Sequence, residues 1–186
     1  MKRLVEIFFC SLILLLLSPI LLLIVVLIKY DTKGTIFFFS TRVGINNSIY
    51  NMPKFRTMYA ETEIVETSKL KDAEKKITKV GRILRKYSLD ELPQFISVIM
   101  GKMTIVGPRP ALPNQNELLL KRKKLGIHLL KPGITGYAQV NGRDMISLDK
   151  KISLEYEYVK KKSFFVDFLI IIKTLKVIFK HNEISH

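Results

Sequence analysis

The stretch Ile7-Phe-Phe-Cys-Ser-Leu-Ile-Leu-Leu-Leu-Leu-Ser-Pro-Ile-Leu-Leu-Leu-Ile-Val-Val-Leu-Ile28 runs for 22 residues without a formal charge. As a straight helix it would reach roughly 33 Å, about the thickness of a bilayer core, so hydropathy alone reads it as a membrane span. Ser18-Pro19 interrupts the run at its middle. Proline removes a backbone donor and kinks a helix. In lipid the freed carbonyl needs a partner, which a serine hydroxyl can supply. The alternative is a re-entrant helix, broken at Ser18-Pro19, that enters and leaves by one membrane face. Lys2 and Arg3 precede the run and Lys29 and Lys33 follow it, so the flanking charge does not choose. A cleaved signal peptide has a shorter apolar region and a small-residue cleavage site. Neither is seen, and residues 1–30 read as a retained anchor on a polar unit of residues 31–186.

The 186 residues suffice for one compact domain plus that anchor. The formal net charge is +15, of which the first 30 residues contribute +2. The remaining surplus favours anionic partners: nucleic acid, phosphorylated substrates or acidic lipid headgroups, among which charge alone does not choose. The single cysteine, Cys10, excludes an intramolecular disulfide and gives no basis for a Cys-based zinc site.

Beyond the anchor the pattern is α+β and mainly helical. Residues 35–57 read as a short β-hairpin around Gly44-Ile45-Asn46-Asn47, because asparagine tolerates left-handed backbone. Pro53 confines the second strand to an edge. Residues 60–77 read as a polar loop or surface helix. Helices are expected over 88–100, 112–125 and 163–180, with a loop-rich stretch at 131–143. In the last helix Lys173, Lys176 and Lys180 share one face. Phe164, Phe165, Phe168, Leu169, Ile172, Leu175 and Phe179 supply an apolar one. This is either a core helix with a solvated lysine stripe or an amphipathic helix in the membrane interface. Asp167, inside an apolar turn, calls for a cationic partner.

Asp90 and Glu91 place two adjacent carboxylates at an expected helix start. Ser88-x-x-Glu91 fits a capping box, which accounts for Glu91 by helix stability alone. Asp90 is left over. A carboxylate can act as a nucleophile toward a phosphoryl group, and a second carboxylate with a divalent cation suits a diphosphate. Cations are close in sequence or motif: Arg82, Arg85, Arg109 and Arg143. Arginine matches phosphate oxygens bidentately. In Gly107-Pro108-Arg109-Pro110, two prolines hold the arginine in stiff, extended backbone.

Four motifs follow in order: Lys54-Phe-Arg-Thr-Met58, Ser88-Leu-Asp-Glu-Leu-Pro-Gln94, Met103 to Pro110, and Pro132-Gly-Ile-Thr-Gly-Tyr-Ala-Gln-Val-Asn-Gly-Arg143. Together they resemble the bacterial sugar transferases, the monotopic phosphoglycosyl transferases of glycan assembly, in their minimal form. The resemblance runs from Ser18-Pro19 to Thr174. It implies a re-entrant anchor broken at Ser18 and Pro19, and a cytoplasmic catalytic domain over 31–186 at the bacterial inner membrane, with amphipathic interfacial helices. It implies that Asp90 attacks the β-phosphate of a UDP-sugar and carries the phosphosugar. Polyprenyl phosphate, undecaprenyl phosphate in bacteria, then accepts it, giving a polyprenyl-diphosphate sugar and UMP. Glu91 matches the second residue of the dyad, and Mg²⁺, held at Asp90 and Glu91, is the implied cofactor. Lys54, Arg85, Arg109 and Arg143 match basic positions facing phosphate or nucleotide. The implied partners are membrane lipid and downstream glycosyltransferases, with no nucleic acid. Tyr137, Lys131, Pro53 and Ala111 depart from common family residues and bear on sugar choice. Two other readings are a basic membrane protein that binds acidic lipid without chemistry and a phosphohydrolase that uses Asp90 with water as acceptor.

Overall fold

The computed structural model describes residues 2–62, 72–142 and 146–179. The apolar run forms two helices, α1 (Lys2–Leu16) and α2 (Ser18–Asp31), bent by 60° at their junction. Pro19 cannot donate to the carbonyl of Leu15, one turn back, and the Ser18 hydroxyl donates to that same carbonyl at 2.7 Å. The break and its repair are thus adjacent residues. Among the described residues no single helix is long and apolar enough to cross a membrane; the bent pair together meets that test by length and composition.

The hairpin is formed by β1 (Phe37–Val43) and β2 (Ile49–Phe55), antiparallel, with Arg42 opposite Tyr50 and Phe38 opposite Lys54. Asn46 and Asn47 take φ of 54° and 58°, as expected for a turn built on asparagine. Next come α3 (Lys79–Lys86) and α4 (Gln94–Ile99). Then β3 (Thr104–Val106), α5 (Asn116–Lys124), β4 (Gly133–Thr135), α6 (Tyr137–Val140), α7 (Leu148–Lys161) and α8 (Phe164–Phe179) follow among the described residues. The second sheet, β3 parallel to β4, has no counterpart in the sequence reading. Its strands touch closely: a Cβ on Gly133 would lie 2.1 Å from the Gly107 nitrogen, so only glycine fits.

The helix expected over 88–100 is broken. Ser88 takes left-handed backbone (φ 54°), and Leu89–Glu91 form a 3-10 turn ahead of α4. Pro93 lacks the N–H that would continue an α-helical ladder onto Leu89. The backbone instead makes i→i+3 bonds, Leu92 to Leu89 at 3.3 Å and Phe95 to Leu92 at 3.2 Å. The expected capping box does not form, because Ser88 makes no side-chain cap.

The two N-terminal helices are built into the rest of the described chain. Cys10 is buried in one cluster with Tyr50, Met52, Val98 and Met103. Ile24 and Ile28 pack with Phe55 and Leu84. Arg3 donates to the carbonyls of Val98 and Ile99 at the end of α4. Glu6 accepts from the Thr104 hydroxyl. At the far end of the pair, Arg56 donates to the carbonyls of Thr32 and Lys33. The outer sides of the pair stay bare: Leu4, Phe8, Leu15, Leu16 and Leu22 are each more than 60% exposed.

On α8, Asp167 is buried and pairs with Lys2, the cationic partner its position calls for. It also accepts from the Tyr158 hydroxyl at 2.6 Å. Ile170 packs with Val106 and Tyr158, whereas Phe164, Phe165 and Phe168 are exposed. The apolar face therefore is not a core face. Lys173 and Lys176 are exposed; Lys180 and the Phe179 side chain lie outside the described residues.

Candidate active site

The dyad sits where β2, α3 and the 3-10 turn meet. Lys54, near the end of β2, points its ammonium at the turn, 2.6 Å from Glu91 Oε1 and 3.9 Å from Asp90 Oδ2. Glu91 therefore spends its carboxylate on a cation 37 positions away in sequence, not on a helix cap. Two residues beyond β2, Thr57 accepts from Arg85 Nε at 2.9 Å, which holds that guanidinium on the dyad's side of α3. A close approach makes this possible: a Cβ on Gly81 would lie 2.1 Å from the Thr57 carbonyl oxygen, so α3 can lie against the strand end only with glycine there. Thr78 caps α3 by accepting from Gly81 N at 2.9 Å.

Burial sets the chemistry of Asp90. It pushes the carboxyl from 3.8 up to about 6; Lys54 opposes it, Glu91 reinforces it and Arg85 opposes it. Burial pulls Glu91 the same way, but Lys54, Arg109 and Arg42 together outweigh it and hold Glu91 below the ordinary carboxylate range. Two neighbouring acids are thus driven apart. Asp90 is a largely buried, partly desolvated carboxyl, ionised at neutral pH. Glu91 is a fixed anion within a cationic ring. This is the division expected where one acid reacts and the other organises.

A cleft opens beside the dyad, lined by Arg42, Met52, Lys54, Glu91, Gln94 and Arg109, with Pro110, Gly133 and Ile134 closing it. Of the residues singled out in the sequence, Lys54, Glu91 and Arg109 line it; Asp90 lies beside it, 3.9 Å from the Lys54 ammonium, and Arg85 is held next to the dyad by Thr57. Arg143 lies outside the described residues. Arg82 is exposed on α3. Arg42 and Gln94 join the site without having been read in the sequence. The signal for Arg42 was the hairpin itself: its turn pairs Arg42 with Tyr50, and Tyr50, Met52 and Lys54 share one face of β2.

Among the described residues no group of three His, Cys, Asp or Glu side chains could hold a metal ion alone. Two adjacent carboxylates do fit Mg²⁺ that is shared with a substrate's phosphate oxygens, the usual mode for that ion.

The bacterial sugar transferase family model matches residues 1–181. The chain is 35% identical to the undecaprenyl-phosphate glucose phosphotransferase of Komagataeibacter xylinus, over 94% of this chain and 35% of that protein. It is 37% identical to the UDP-glucose:undecaprenyl-phosphate glucose-1-phosphate transferase of Escherichia coli, over 94% of this chain and 39% of that protein. It is 35% identical to the exopolysaccharide production protein ExoY of Rhizobium meliloti, over 95% of this chain and 84% of that protein. The chain thus spans little more than a third of the first two relatives and most of the third. With Glu91, its lysine and the arginine loop gathered at one cleft beside Asp90, and the match running nearly end to end, this chain belongs to the bacterial sugar transferase family.

Proposed function

We propose that the chain transfers a sugar-1-phosphate from a UDP-sugar to undecaprenyl phosphate at the cytoplasmic face of the bacterial inner membrane. The observation that carries this reading is the dyad itself: a buried Asp90 with a raised pKa beside a Glu91 tied to Lys54. The names of the relatives support the substrate classes. Ionised Asp90 attacks the β-phosphorus; the bond to the oxygen bridging the two phosphates breaks, and UMP leaves with the electron pair. The sugar phosphate remains as a mixed anhydride on Asp90. A phosphate oxygen of undecaprenyl phosphate then attacks the same phosphorus and releases the carboxylate. Lys54, Arg85 and Arg109 hold diphosphate oxygens, and Arg143 is assigned to the same task. Asp90 and Glu91 would hold Mg²⁺, which when bound neutralises charge on the diphosphate. The product is the substrate that downstream glycosyltransferases of glycan assembly extend.

A re-entrant anchor fits the same reading. Lys2 and Arg3 fasten one end of the bent pair to α8 and α4, and Arg56 fastens the other. Both ends therefore belong to one body. The bare apolar sides of α1 and α2, with the exposed phenylalanines of α8, supply a surface for lipid.

The test is a panel of UDP-sugars with Mg²⁺ in detergent. Without acceptor, the matching sugar should release up to one UMP per enzyme and leave a hydroxylamine-sensitive adduct on the Asp90 peptide. With undecaprenyl phosphate, release should become catalytic. Sustained release without acceptor would point to a hydrolase, and no release with any sugar would leave a binding protein; either result rejects the transferase reading.

A further inference from the structure

Four consecutive carbonyls of the arginine loop accept bonds from three separate parts of the chain: β4, α5 and, twice, the end of β1. Pro108 O accepts from Gly133 N at 2.9 Å and Ala111 O from Val43 N at 2.9 Å. Pro110 O accepts from Arg42 Nη1 at 3.3 Å. Arg109 O accepts from Arg122 Nη2 at 2.9 Å. The last donor is unusual. Arg122, within the run Lys121-Arg-Lys-Lys124, would pass for a surface charge, yet it is buried. Its Nε and Nη2 fork onto Glu155 Oε2 and Oε1 at 2.8 and 2.5 Å. The side chains of Arg122 and Glu155 are only 8% and 2% exposed.

A buried ion pair contributes little net stability over an apolar pair of the same volume. Its location supplies a better account. The third contact of the fork ends on the peptide of the residue that lines the cleft. Glu155, on α7, fixes the plane of the guanidinium; the guanidinium fixes the Arg109 carbonyl; and the flanking prolines pass that constraint to the Arg109 side chain.

We infer that Arg122 and Glu155 are positioning residues for Arg109, holding its guanidinium at the angle that meets substrate phosphate. The inference rests on the reading that Arg109 contacts phosphate. Arg42 is a less clean probe of the loop, because it lines the cleft itself. Arg122 and Glu155 are absent from the cleft lining and act from behind.

The experiment is a double-mutant cycle on the full chain in detergent, read as kcat and KM for the UDP-sugar with undecaprenyl phosphate. Its members are wild type, Arg109→Lys, Arg122→Met/Glu155→Leu, and the three changes combined. Replacing both charges with apolar side chains avoids leaving one buried and unpaired. The melting transition of each protein reports folding. The Met/Leu variant should melt cooperatively and lose about 10- to 100-fold in kcat/KM. The combined variant should lose no more than Arg109→Lys alone, because a misaimed group that is already replaced has nothing further to lose. A purely structural pair would give losses that multiply. Should the Met/Leu variant fail to fold, Arg122→Lys keeps the charge for Glu155 but not the planar fork, and it should show the same non-additivity. Wild-type kcat/KM in the folded Met/Leu or Lys variant, or losses that multiply with Arg109→Lys, overturns the positioning role. Wild-type kinetics in Arg109→Lys itself overturns the premise instead, and the two failures are distinct.

Discussion

Lys54 serves both carboxylates of the dyad, 2.6 Å from Glu91 and 3.9 Å from Asp90. The nearer acid takes the hydrogen bond and the farther one feels the charge. This asymmetry leaves Asp90 the less tightly paired of the two, which suits the nucleophilic role proposed for it.

Removing that charge should move the pH dependence of the reaction. Lys54 lowers the Asp90 pKa against burial. Lys54→Met should therefore raise it above about 6 and shift the acidic limb of UMP release to higher pH. The rate at neutral pH should fall by roughly tenfold or more. Lys54→Arg retains the charge, and its limb should stay near that of wild type. An unmoved limb in the methionine variant would show that Lys54 does not set the Asp90 charge.

Asp90→Asn should abolish the adduct and also stabilise the metal-free protein. The folded pKa of about 6 lies above the ordinary value of 3.8. The native state thus binds this proton more tightly than the unfolded state, and stability is lost as pH rises between about 4 and about 6. Asparagine has no such proton. In chelator at pH 8 the variant should gain up to about 3 kcal/mol, a rise in Tm of several degrees. Below about pH 4 the gain should vanish. Equal melting at pH 8 would mean that Asp90 is not held at a cost.

What could be read in advance was local. The Asn46-Asn47 turn, the Ser18-Pro19 break and the need of Asp167 for a cation all follow from a residue and its neighbours, and each is found. Glu91 shows the limit. Ser88-x-x-Glu91 has the spacing of a capping box, but Pro93 downstream and Lys54 on a distant strand decide where the carboxylate goes. The parallel pair β3–β4 has three residues in each strand, too few for any periodic signal, and its partners are far apart in sequence. Arg122 hides for a similar reason: in a run of four basic residues, nothing local says which one turns inward onto Glu155.

The tie between α7 and α8 should carry measurable stability. Tyr158 donates to Asp167 at 2.6 Å within the core. Tyr158→Phe leaves a buried acceptor with Lys2 as its remaining charged partner, and should cost about 1–3 kcal/mol. Chemical denaturation of the two proteins measures this. No change would mean that Lys2 and solvent satisfy Asp167 unaided.

The same network bears on how the chain meets the membrane. A helix that crosses a bilayer separates its ends by the full core, about 30 Å, with one end on each side. Here the first end is fastened by Arg3 to the carbonyls that close α4, and the second by Arg56 to Thr32 and Lys33. α4 follows the dyad turn directly, and Arg56 follows β2, which carries Lys54. Both ends are thus tied to the walls of one cleft and should face one compartment. Cys10 is buried, so replacing it with alanine leaves a background without native thiols. In that background, Lys2→Cys and Lys33→Cys should both resist an impermeant thiol reagent in intact cells. Both should react once the cytoplasmic face is opened. Lys2→Cys removes the contact to Asp167 but leaves the Arg3 contacts in place, so the first end stays fastened. Labelling of residue 2 from outside, with residue 33 protected, would require the bent pair to open into a true span. Those Arg3 bonds could not then survive, and the re-entrant reading would have to be abandoned.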